Sequence, residues 1–234
     1  MRETKGMSNQ SDYAPSRTVL FVTLGALLAV GVGSGFWMNH LERSAHDARA
    51  ALYIAEKLLA EELKGISHQD VASPQKDQSL SGRDYKKINF NSQLTASVAK
   101  FKEVISKYPK TRAGFEAHMD LASLYFDHGD DFNALAWLQK AELLASDRQD
   151  QIAVYSAIGY AQENLSKSSE AVEAFQKAIR LGDKAQKGDL LLAVARCYEA
   201  LHDMAKARSI YDQVSSEFSG SEYAKSAELL KSQL

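Results

Sequence analysis

Cysteine, proline and net charge are all scarce in this chain. One cysteine, Cys197, occurs in 234 residues, so no internal disulfide can form and no all-cysteine metal site can be built. A bacterial lipid anchor needs a cysteine just behind the leader, and residues 18–40 contain none. The three prolines, Pro15, Pro74 and Pro109, all fall outside the periodic apolar stretches, so no proline interrupts a candidate helix. The formal charge is −2, and the basic residues are dispersed, which argues against a nucleic-acid binder, where a basic stripe is the expected signature. No catalytic or metal-binding pattern is present either. His40, His46, His68, His118, His128 and His202 form no HExxH or other ligand spacing, and there is no phosphate loop. The expectation is a chain that is not an enzyme and holds no metal or cofactor.

One long uncharged run is present. Residues 18–38, TVLFVTLGALLAVGVGSGFWM, would span about 31 Å as a helix, the thickness of a bilayer's hydrocarbon. Arg17 closes one end and Trp37 marks the other as interfacial. The run is longer than an ordinary signal-peptide core, which favours an uncleaved anchor, although Gly33 and Gly35 also suit a cleavage site. Basic residues balance on its two sides. The short polar tail 1–17, expected to be disordered, favours a cytoplasmic N-terminus, with the remainder in the periplasm. Gly25, Ala29 and Gly33 recur every four residues and form a small-residue face of the type that lets two membrane helices approach. That face is expected to contact another membrane helix, either in a second copy of the chain, as a homo-oligomer, or in a larger complex.

Behind the span, residues 39–64 carry an apolar stripe of Ala45, Ala48, Leu52, Ala55, Leu59 and Leu63, at helical spacing. Gly65 reads as its stop. Residues 65–91 are polar, contain Pro74 and Gly82, and show no period, the pattern of a flexible loop.

From residue 92 to residue 234 a pattern repeats. SVAKFKEV (97–104), ALAWLQKA (134–141), AVEAFQKA (171–178) and ARSIYDQV (207–214) align without gaps, at intervals of 37, 37 and 36 residues. Each places a small residue, then a bulky one four positions on, then a small or branched one three further: Ser97/Phe101/Val104, Ala134/Leu138/Ala141, Ala171/Phe175/Ala178 and Ala207/Tyr211/Val214. The last three are each preceded by another helical pattern and a short polar turn, so each unit reads as helix–turn–helix. Gly129–Asp130 and His202–Asp203 suit those turns. A fixed period of this length signals stacked supersecondary units, and the fold class expected is all-α.

These residues resemble the tetratricopeptide repeat family. Its second-helix signature appears as Ser97, Phe101, Val104 and Pro109, and again as Ala171, Phe175 and Ala178; part of its first-helix signature appears as Ile158–Gly159 and Tyr198. The chain departs from the pattern at the family's tryptophan position, filled by His118, Tyr155 and Leu191, and in its longer period. The first unit lacks an adjacent first helix, a role open to the helix over 39–64. Residues 221–234 look like a capping helix.

The resemblance implies an α-solenoid that binds proteins along its first helices. Projected onto this chain, that face comprises Glu116, Met119, Ser123, Phe126 and Asp127; Ser156, Tyr160, Glu163 and Asn164; and Asp189, Leu192, Arg196 and Glu199. It is mildly acidic with apolar and aromatic patches, which suits peptide segments with apolar anchors and positive charge. The layout of tail, span, helix and repeats is similar to that of bacterial envelope proteins such as the ancillary subunit of the Sec translocon. That likeness implies a bilayer, the translocon, periplasmic chaperones and exported clients as partners. A scaffold for a division, pilus or secretion machine would use the same parts.

Overall fold

The computed structural model describes residues 42–65 and 94–234. The tail 1–17, the run 18–38 with Gly25, Ala29 and Gly33, and the loop beyond Gly65 lie outside the described residues. Among those described, no helix is long and apolar enough to cross a membrane. The chain divides into two compact units, Met1–Ser44 and Ala45–Leu234. Of the first, only residues 42–44 are described, and they are helical.

All regular structure among the described residues is α-helix. Residues 42–65 form α1. The others are α2 (Thr95–Lys107), α3 (Arg112–Asp127), α4 (Asp131–Glu142), α5 (Arg148–Asn164), α6 (Ser168–Leu181), α7 (Lys184–Ala200), α8 (Met204–Glu217) and α9 (Glu222–Lys231). Consecutive helices from α2 to α9 pack on one another. Gly65, where the stop is expected, is helical and is the last described residue of this stretch.

Local chemistry explains where the helices begin. Thr111, Asp130, Asp147, Asp183, Asp203 and Ser221 each sit just before a helix, and their side chains accept a backbone N–H of its first turn, a contact worth about 1 kcal/mol apiece. Asp183 and Gln186 complete a reciprocal capping box. The reversals within the pairs share one backbone solution. Gly129, Ser166 and His202 hold φ at 74°, 59° and 59°, and they stand 37 and 36 residues apart in the sequence. Glycine reaches this left-handed region freely, whereas serine and histidine adopt it at a cost.

Burial follows the repeat. Phe101, Val104, Ala134, Leu138, Ala141, Ala171, Phe175, Ala178, Ala207, Tyr211 and Val214 are all in the core, and Ser97 is buried with them. A large side chain at the middle position fills the space between paired helices, while the small ones allow their backbones to come close. The core runs along the stack as successive clusters. Ala48, Leu52 and Ala55 of α1 join Phe101 of α2 and Leu121 of α3 in the first of them. Helix α1 therefore supplies the missing first helix of the first pair. Its Glu62 carboxylate accepts the N–H groups of Ala96 (3.3 Å) and Ser97 (3.2 Å), capping α2, whose own N-cap residue, Leu94, has no side chain able to do so. At the far end α9 lies on α8, with Ala224 and Ala227 inward and Glu222, Lys225 and Glu228 exposed, the polar finish such a stack needs.

Candidate partner-binding face

Helices α3, α5 and α7 open the second, third and fourth pairs. Two glycines let α5 and α7 come close to aromatic rings of α6 and α9. A Cβ on Gly159 of α5 would lie 2.5 Å from the Phe175 ring of α6, and one on Gly188 of α7 would lie 2.6 Å from the Tyr223 ring of α9. Only glycine lets those aromatics come so near. Tyr160, beside Gly159, then meets Phe175 edge-on, with ring centroids 4.9 Å apart. Burial, reinforced by Asp189, pushes the Tyr160 phenol above its ordinary pKa, so it stays a neutral hydrogen-bonding group at physiological pH.

Most of the polar residues projected onto this face have partners within the chain, and several of these contacts join one pair to the next. Glu163 of α5 takes a two-pronged ion pair from Arg196 of α7, at 2.9 and 3.1 Å. Asn164 donates to Asp131, at the head of α4, at 2.9 Å. Glu199 accepts the Tyr211 hydroxyl, and Asp189 accepts that of Tyr223 at 3.4 Å. Ser156 turns back on its own helix and donates to the Ile152 carbonyl at 2.7 Å. Glu116 accepts from Arg112 at 2.7 Å. Leu192 does not belong to the face. It is buried with Leu191, Tyr211 and Phe218 between α7, α8 and α9, because the helical turn at that position points it into the last pair.

What remains is concentrated on α3. Ser123 and Asp127 are exposed. Met119 and Phe126 are half-buried along the seam with α5, packed on the cluster containing Phe115, Val154 and Ile158. Together they give a shallow surface with two apolar side chains and an open carboxylate. Burial raises the Asp127 pKa, with His128 opposing the shift.

Two further polar features escape a projection from sequence. Arg112 of α3 reaches across to α5 and holds the buried Asp150 carboxylate at 2.5 Å, while its guanidinium also lies 5.0 Å from the Phe115 ring. The two partners are 38 residues apart, one repeat, and that near-repeat spacing was the available signal. The second is Asp120, on the Glu116–Asp120–Ser123–Asp127 stripe of α3. Its Oδ2 is buried without a hydrogen-bond partner. Burial first, then the carboxylates of Glu56 on α1 and Glu116 on α3, raise its pKa to about 6. Its position on the stripe was visible in the sequence; the closeness of Glu56 was not.

The residues at the family's tryptophan position behave as packing groups. His118 is buried; its Nδ1 lies 2.7 Å from the Gly114 carbonyl and so carries the proton, and its ring leans on Trp137 at 5.7 Å. Burial lowers its pKa, keeping it neutral. Cys197 is buried and free, and burial raises its pKa to about 11, so it is a thiol rather than a nucleophilic thiolate. Among the described residues, no three His, Cys, Asp or Glu side chains are placed to hold a metal ion.

No curated protein matches the sequence. Among solved structures, a Podosopora anserina protein described as a kinesin light chain with nearly identical TPR-like repeats is 17% identical, with a TM-score of 0.47 over 58% of this chain and 70% of that one. A crystal structure of MamA is 18% identical, with a TM-score of 0.46 over 64% of this chain and 91% of that one. The family model of the tetratricopeptide repeat matches residues 189–221, from within α7 through α8 to the N-cap of α9. The matched segment spans one helix pair, and the described helices before it follow in the same paired order.

Proposed function

We propose that this protein is a membrane-anchored docking module of the bacterial envelope, one that binds other proteins and catalyses nothing. Tetratricopeptide repeats suggest protein–protein interaction, and the α3 surface carries the reading in this chain. Along the first helices most charged groups are matched to one another, whereas Met119, Ser123, Phe126 and Asp127 present apolar and acidic groups that neighbouring helices leave partly open. Such a mixture suits a peptide segment with apolar anchors and a basic residue, since apolar burial supplies affinity and charge supplies selection.

The uncharged run 18–38 supports an anchor in the inner membrane, with the short tail in the cytoplasm and the repeats in the periplasm. In that setting the partners would be the Sec translocon, periplasmic chaperones or emerging exported chains. Alkaline-phosphatase and fluorescent-protein fusions at the C-terminus test the orientation: phosphatase activity without fluorescence is expected, and the reverse would put the repeats in the cytoplasm. A photo-crosslinking residue at Ser123 tests the surface in native membranes. Adducts with translocon or chaperone subunits are expected, and they should fall at least about tenfold when Phe126→Ala and Asp127→Lys are combined. Adducts confined to one complex of fixed stoichiometry would favour a scaffold, and none at all would remove the α3 surface as a docking site.

A further inference from the structure

Asp120 stands at a packing position of the repeat. His118, Tyr155 and Leu191 occupy one register position of the first helices, and two residues beyond each lie Asp120, Ala157 and Ala193. Ala157 packs on the cluster shared by α3, α4 and α5, and Ala193 is fully buried. A small apolar side chain thus fills this place in α5 and α7, where α3 carries a carboxylic acid.

Nothing near that acid compensates its charge. Its Oδ2 is buried and without a hydrogen-bond partner, and the charges acting on it, Glu56 from α1 and Glu116 from its own helix, are both acidic. Arg112, the one Lys or Arg of α3, is taken by Glu116 and by Asp150 of α5. On α1, Lys57 lies 3.9 Å from Glu61. Ionised, Asp120 is a buried charge facing like charges; protonated, it is a neutral polar group, which costs far less to bury.

Helix α1 forms the other side of this junction, and it is lightly held. Its buried residues there are Ala48, Leu52 and Ala55, with Ala51, Leu59 and Leu63 partly buried. Alanines bury little apolar area each, so one buried charge is enough to shift the balance. We propose that the α1–α3 junction is a pH-sensitive joint. With Asp120 protonated, α1 is clamped on the stack; with Asp120 ionised, α1 undocks more readily and uncovers Ala113, Ala117 and Leu121 of α3.

The proton favours the docked state. With α1 in place the Asp120 pKa is about 6, against an ordinary 3.8. Undocking relieves the carboxyl of burial and of Glu56, and so lowers its pKa towards the ordinary value. Docking is therefore strongest below about pH 4 and weakens as pH rises through 6. Between pH 5 and pH 7.5 the opening equilibrium of α1 grows by up to about tenfold. The joint borders the Glu116–Ser123–Asp127 stripe, yet it operates in the unbound chain and needs no partner.

Hydrogen exchange of the full chain in detergent, corrected for the intrinsic dependence of exchange on pH, tests this. Amides of α1 should exchange faster than those of α5, the mark of a local opening. Their protection should fall by up to about tenfold between pH 5 and pH 7.5. Amides of α9, whose fraying at the far end leaves Asp120 undisturbed, should keep theirs. Asp120→Asn imitates the protonated acid, and Asp120→Ala places at α3 the residue of α5 and α7; each should hold α1 protection level across this range. Glu56→Gln should reduce the loss without abolishing it, since burial is the larger cause. Protection of α1 that is indifferent to pH or no weaker than that of α5, a parallel loss in α1 and α9, or a loss that survives both Asp120 substitutions would each overturn the proposal.

Discussion

The junction between α5 and α7 and the junction between α1 and α3 are built on the same apolar plan and completed by opposite polar ones. At the first, Glu163 meets Arg196 and Gln149 meets Gln186 at 2.9 Å. At the second, the buried Asp120 carboxyl lies in the field of Glu56 and Glu116, and of these Glu116 is paired with Arg112. The apolar repeat sets where helices lie, and it tolerates either arrangement. Polar residues then decide whether a junction is electrostatically closed or left with excess negative charge.

Three substitutions probe that contrast, from the largest expected effect to the smallest. Phe175→Ala removes the ring that fills the third pair and touches Tyr160 and Gly159; a loss of about 3–5 kcal/mol is expected in urea unfolding. An effect below about 1 kcal/mol would mean that the pair is not held by its core. Asp120→Asn acts at the acidic junction with the opposite sign. The folded pKa of Asp120, about 6, lies above the ordinary 3.8, so the folded state holds a proton that the unfolded chain has released over that interval. Stability should therefore fall as pH rises from about 4 through 6, leaving the full penalty at neutral pH. Asp120→Asn should stabilise the protein by roughly 1–3 kcal/mol at pH 7 and by almost nothing at pH 4. Melting curves at the two pH values would measure this, and equal shifts at both would show that burial, with Glu56 and Glu116, does not raise the Asp120 pKa as described. The smallest effect belongs to the closed junction. Arg196→Met keeps the aliphatic stem and removes a pair that is half open to water, so about 1 kcal/mol or less is expected, diminishing with salt.

Much of the fold was legible before any coordinates. The triads headed by Ser97, Ala134, Ala171 and Ala207 were visible as repeats, and each proved to be buried, because helical periodicity and burial leave a mark within a few residues of sequence. Asp130 and Asp203 were readable as caps for the same local reason. The candidate face was less legible. Leu192 was projected outward and lies in the core, since a single residue's rotation about the helix decides its side. Asn164, Glu163 and Glu199 were projected as open groups, yet each has a partner within the chain. Those partners are separated by 33, 33 and 12 residues, and nothing local announces them.

The sequence by itself determined an all-helical chain with a period near 37 residues and the identity of the side chains that fill each pair. These follow from hydrophobic spacing, which acts along the chain. Tertiary structure decided that α1 completes the first pair, with Glu62 capping α2 across a long intervening segment. It also decided that Arg112 secures Asp150 while Asp120 is left among carboxylates. Electrostatic and hydrogen-bonding partners are selected by proximity in space, and that proximity exists only once the helices have packed.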